Sequence, residues 1–164
     1  MTVQMAELAK FDGRLFQMSG WWHPDCQPLA SFFSKRGLPP PEIGLTSTAC
    51  DRGYRGIWSI QDDPEARYGR ALFLLELQTG QDGRPYAEHP FSLADLFGNR
   101  SPPILADWFS GTIRLVPSYD AALEEEEEDV PEYFLTLQEG LVVGEERLTR
   151  QESFLRRWRQ SKAR

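Results

Sequence analysis

Arg52, Tyr54 and Arg55 stand together in the chain, as do Asp107, Trp108 and Arg114. Guanidinium groups beside an aromatic ring suit an anionic or planar ligand. The fork of N–H donors grips a carboxylate or phosphate at two points, and the flat cation stacks on a ring. If the two clusters converge, they form a binding site for an anionic small molecule. The competing reading is structural. Trp58 and Trp108 are side chains of the kind that fill a core, and Arg52 or Arg55 then pairs with Asp107 or Glu76.

The second chemical feature is the unbroken acidic run Glu124, Glu125, Glu126, Glu127, Glu128 and Asp129. As an acid/base pair it lacks the burial that shifts a carboxyl pKa. As a calcium loop it lacks the glycine turn between alternating oxygen ligands. The plain reading is a solvated segment, attracted at most to the chain's own basic segment. The sharper reading is that it faces a partner protein with a basic surface, because complementary charge speeds encounter and selects partners. The segment Arg147 to Arg164 has the opposite character. It carries seven basic residues against one acid, Glu152, within a chain whose net charge is -7. That overall charge disfavours non-specific nucleic-acid binding.

Other chemistries find little support. His23, Cys26, Cys50 and His89 offer the right donors for zinc, but their spacing matches no tetrahedral finger, so no metal site is expected. A Cys–His dyad from His23 and Cys26 is opposed by the proline between them. The chain has no G-x-S-x-G, no phosphate-cradling glycine loop and no H-E-x-x-H. No cofactor is implied, and an enzyme is the weaker expectation.

These residues need a scaffold. A length of 164 residues suits one domain, spanning 1–164, which buries roughly 70% of the surface its unfolded chain exposes. No apolar stretch approaches the ~20 residues that cross a bilayer. The start, MTVQMAELAKFDG, lacks a secretory pattern, and Cys26 and Cys50 are too few for a disulfide framework. A soluble cytoplasmic protein without a membrane partner is expected.

The segment from Thr48 to Gly80 organises the rest. Gly56, Trp58 and Ile60 alternate with Ile57 and Ser59, and Ala71 to Leu77 is apolar except for Glu76. These are two strands joined by a polar loop, the second covered on both faces. Before them, Asp12-Gly13 marks a two-residue hairpin turn. Gln27 to Arg36 forms a short helix with Leu29, Phe32 and Phe33 on its buried face. After them, Ser92, Asp95 and Gly98 frame a brief helix. Ile104 to Pro117 and Tyr133 to Gly140 read as strands, with Leu141 to Val143 pairing back. Thr149 and Glu152 form a capping box for a helix to about Ser161. Its stripe of Phe154, Leu155 and Trp158 is expected to dock on the body, with its arginines in water.

The central hairpin has an echo. Gly56-Ile57-Trp58-Ser59-Ile60 resembles Gly111-Thr112-Ile113-Arg114-Leu115, and Leu75 to Gly80 resembles Leu135 to Gly140. The acidic run sits where the second copy is longer, at a loop tip that tolerates insertion. Segments 55–80 and 110–140 are thus candidates for an internal duplication. The alternative is coincidence between two ordinary strand patterns.

Two segments carry a family resemblance. Cys50 to Ile60 reads C-x-R-G-Y-x-x-x-W-x-I, and Trp108 to Arg114 reads W-x-x-G-x-I-R. From Leu29 to Gly140 the chain resembles an uncharacterised family of small bacterial proteins with those segments. The resemblance implies a soluble protein and no particular activity. The long loop Gln61 to Arg70 and the glutamate run depart from it.

Together these readings give an α+β fold. It is mainly an antiparallel β-sheet or split barrel built from two similar hairpins, with a short N-terminal helix and an amphipathic C-terminal helix. The expected function is that of a small acidic interaction protein, with the role of a regulatory or immunity-type inhibitor among the candidates. The runner-up is a ligand-binding or enzymatic domain with an arginine- and tryptophan-lined site.

Overall fold

Asp12 and Gly13 both adopt positive φ, 49° and 75°, the conformation a two-residue hairpin turn demands. They join β1 (Glu7–Phe11) to β2 (Arg14–Ser19). The computed structural model describes residues 6–19, 27–35, 53–63, 69–88, 90–117 and 130–163. Within them follow α1 (Pro28–Lys35), β3 (Arg55–Asp62), β4 (Arg70–Gln78), β5 (Gly80–Gln81), β6 (Arg84–Pro85) and α2 (Leu93–Phe97). The remainder comprises β7 (Ile104–Leu105), β8 (Gly111–Pro117), β9 (Glu132–Gln138), β10 (Leu141–Leu148) and α3 (Arg150–Lys162).

Seven strands close into a barrel in the order β10-β9-β8-β2-β1-β3-β4, with β4 returning to β10. The architecture is mixed α+β, and every barrel pairing is antiparallel except β1 with β3. The closing seam is short. Leu141 pairs with Ala71, and the Leu72 amide donates to the Gly140 carbonyl at 2.8 Å. Gly140 is required there: its φ is 80°, and a Cβ would lie 2.7 Å from the Ala106 carbonyl oxygen. An Arg70–Glu145 ion pair also spans the seam, and Arg70 stacks over Phe11 at 5.0 Å.

A small barrel has an interior that side chains alone can fill. Phe11, Phe16 and Tyr133 meet in tilted and edge-on contacts 4.9–6.0 Å apart. Further along lie Leu72, Leu74, Ile113, Leu115, Leu135 and Trp58, all fully enclosed. α1 closes the end near Trp58 with Leu29, Phe32 and Phe33. α2 joins it through Phe97, its own start fixed by a reciprocal Ser92–Asp95 capping box.

Three expectations change. The strand from Ile104 to Pro117 is broken, because Ala106 to Ser110 turn aside. There the Ala106 amide bonds the Leu72 carbonyl and the Phe109 amide bonds the Ala106 carbonyl. β10 runs on to Leu148, well past Val143. β4 is covered on both faces only as far as Leu74, and a bulge opposite Ile57 and Trp58 leaves Leu75 to Gln78 half-open.

The echoed segments form the β3–β4 and β8–β9 hairpins, and Gly56 opposes Leu77 as Gly111 opposes Leu137. Their placement differs. β3 and β8 run in the same direction, yet β4 lies on one side of β3 and β9 on the opposite side of β8 as the barrel is traversed. A rotation about the barrel axis preserves that sense, and a two-fold across it reverses direction and side together. Neither superposes one hairpin on the other, so the likeness is one of pattern and local pairing.

Candidate functional site

Arg55 on β3 and Arg114 on β8 do not meet. β1 and β2 separate β3 from β8, about 14 Å at ordinary strand spacing. Both arginines are engaged where they stand. Arg55 Nε donates to the Ala6 carbonyl at 2.8 Å. Arg114 donates through Nε and Nη2 to Glu132 Oε2, at 3.0 and 2.7 Å. Asp107 is exposed, with Arg100 at 3.9 Å. Arg52 and the run Glu124 to Asp129 lie outside the described residues, as do His23, Cys26, Cys50 and His89.

The aromatic members belong to the core. Tyr54 is buried against Phe33 and Phe91. Trp108 packs on Phe32 and Phe97, with ring centroids at 5.2 and 5.3 Å, and its indole N–H donates to the Pro28 carbonyl at 2.7 Å. Lys35 returns a bond to the Trp108 carbonyl. The turn at Ala106 to Ser110 therefore aims Trp108 at α1, tying both ends of that helix to the barrel.

The sequence reading missed Glu7. Its side chain is buried and accepts the Trp58 indole N–H at 3.0 Å and the Gly56 amide at 3.2 Å. A Cβ on Gly56 would lie 2.5 Å from Trp58 Nε1, so a glycine is needed for this contact. Strand parity was the available signal, since Glu7 shares a face with Ala9 and Phe11. A buried carboxylate holding an indole in place is a packing device.

The second missed station positions a surface. Glu132 is buried beneath α3, where it accepts from Arg114 and from the Ser153 hydroxyl. Arg156 of α3 grips Glu146 at two points, 2.6 and 3.1 Å, and lies over the Phe134 ring at 5.3 Å. Arg114 approaches the same ring at 5.8 Å. A capping box between Thr149 and Glu152 starts the helix as expected. Ser153 and Arg156, one turn apart, thus define the face of α3 that meets the barrel.

That assignment overturns the expected docking. At 100° per residue, Phe154 and Trp158 project nearly opposite to Ser153 and Arg156. Phe154 is 60% exposed, Trp158 49% and Leu155 41%. The helix lies polar side down, and its apolar stripe faces solvent. Arg157 and Arg159 flank the stripe, and Lys162 stacks on Trp158 at 4.2 Å. Arg156, expected in water, is instead a docking residue.

A shallow open groove of about 430 Å³ lies elsewhere, where β4 leaves its bulge and the chain enters α2. Leu75, Leu77, Phe91 and Leu93 line it, with Glu76 and Asp95 among the polar residues. Among the described residues, no group of His, Cys, Asp and Glu has the arrangement to hold a metal ion. No helix of the described residues is long and apolar enough to cross a membrane.

Comparison with protein-family models, with curated proteins and with solved structures returns no match.

Proposed function

We propose that this chain is an interaction protein that acts by binding another protein, in the manner of a regulatory or immunity-type inhibitor. The observation that carries the reading is the orientation of α3. An exposed run of phenylalanine, leucine and tryptophan on a helix anchored by its polar side is a surface left for a partner. Tryptophan and arginine, both present on α3, are the side chains most enriched where binding energy concentrates. The acidic run Glu124 to Asp129 is the complementary element, steering a partner with a basic surface by long-range attraction.

Affinity capture with the full chain at low and high salt tests this, read against two variants. Trp158→Glu is expected to lose the captured partner. Deleting Glu124 to Asp129 is expected to weaken capture and flatten its salt dependence. A partner retained equally by the wild type and both variants would refute the reading.

A further inference from the structure

The charge of this molecule is divided in a way that makes it complementary to itself. Arg147 to Arg164 carries +6. Subtracting that from the net -7 leaves -13 on the rest of the chain. α3 presents part of the positive share as a rim around its apolar stripe. The groove beside α2 offers the reverse, an apolar floor of Leu75, Leu77, Phe91 and Leu93 with the carboxylates Glu76 and Asp95. We propose that α3 of one copy docks in the groove of a second copy, with Phe154 and Trp158 on the floor and Arg157 or Arg159 against Glu76.

The stripe of one chain does not reach its own groove. β10 is antiparallel to β4, and Leu141 opposite Ala71 fixes their register. From that point Glu146, which anchors α3, lies five residues one way, and Glu76 lies five residues the other. Ten residues of strand span roughly 30 Å. α3 runs back from its anchor by less than that, since the six residues after Arg156 advance only about 9 Å.

The same charges select among occupants. Two α3 helices packed face to face would bring two cationic rims together, and like charges across an interface cost affinity. An anionic bilayer would attract α3. It would also repel the acidic body, which begins one helix diameter away, about the distance over which charge acts at physiological salt. A groove with two carboxylates answers the rim locally. The contact joins two different surfaces, so it is heterologous, and repetition yields a ring or an open chain.

The proposal rests on the interaction reading, and sedimentation velocity on the full chain tests it separately. Wild type is expected to grow in mass with concentration and to dissociate in high salt. Trp158→Glu and Glu76→Arg, both at exposed positions, are each expected to weaken association by more than about tenfold. Mixed together, the two are expected to form a heterodimer that grows no further, because one supplies an intact helix and the other an intact groove. Thermal melts matching the wild type confirm that both variants fold. A chain monomeric at every concentration overturns the proposal, and stripe-dependent capture of another protein would still leave the interaction reading standing. Association lost in Trp158→Glu and kept in Glu76→Arg also overturns it. So does a monomeric chain whose Trp158 fluorescence shifts to the blue on phosphatidylserine vesicles, which would give the stripe to a membrane.

Discussion

α1 and α3 are similar helices put to opposite uses. Each carries a large apolar trio, Leu29, Phe32 and Phe33 in one and Phe154, Leu155 and Trp158 in the other. The first trio is 1–5% exposed and the second 41–60%. Hydrophobic spacing is present in both, so spacing does not decide which way a helix faces. The decision lies with what the polar side meets. α1 sits over an aromatic pocket of Trp108, Phe97 and Phe91, and its Lys35 bonds a backbone carbonyl, that of Trp108. α3 follows directly from β10 onto a sheet surface that carries Glu132, Glu146 and Phe134.

Two energies oppose each other at α3. A buried carboxylate without donors is costly, and hydrogen bonds to charged groups contribute about 1.5–3 kcal/mol each. Arg114 reaches Glu132 from β8, and Ser153 adds its hydroxyl only when α3 lies polar side down. Turning α3 over would bury its apolar trio, worth roughly 1.5–3 kcal/mol per side chain. It would also strip Glu132 of the hydroxyl and Arg156 of its carboxylate.

The comparison can be broken from either helix. Phe32→Ala removes the centre of the α1 contact and is expected to cost roughly 3–5 kcal/mol of global stability in a denaturant titration. Glu132→Ala leaves Arg114, whose side chain is 16% exposed, without its carboxylate. The expected loss is about 3 kcal/mol, with faster amide exchange across α3. Thr149→Ala removes one half of the capping box and is expected to cost about 1 kcal/mol, seen as fraying of the first turn of α3. Trp158→Glu touches no buried contact. It is expected to change stability by less than about 0.5 kcal/mol, in contrast to Phe32→Ala. A large loss there would mean that α3 lies stripe-down in solution.

What was legible in the sequence was local. Asp12-Gly13 announced its hairpin because only a few residue types accept positive φ in succession. The Ser92 and Thr149 capping boxes lay where their spacing put them, because a cap is a contact across three residues. The alternation through Gly56, Trp58 and Ile60 marked a strand for the same reason. The break at Ala106 to Ser110 was not legible. It depends on hydrogen bonds to Leu72 and on the pocket that draws Trp108 toward Pro28, both distant in sequence. Arg55 and Arg114 stand apart for a related reason. Residues alike in their neighbourhood along the chain were placed with two strands between them by the order of the sheet.

Sequence alone determined the elements of this protein, their caps and turns, the apolar character of its strands and the segregation of its charge. Those properties follow from contacts a few residues long and from composition. The tertiary structure decided that the strands close, that the echoed hairpins turn in opposite senses, and that Glu7 and Glu132 are buried. It also decided that α3 shows its apolar stripe to the outside. Each of these depends on partners far away in the chain. Such partners are brought together only when the strands of the barrel assemble.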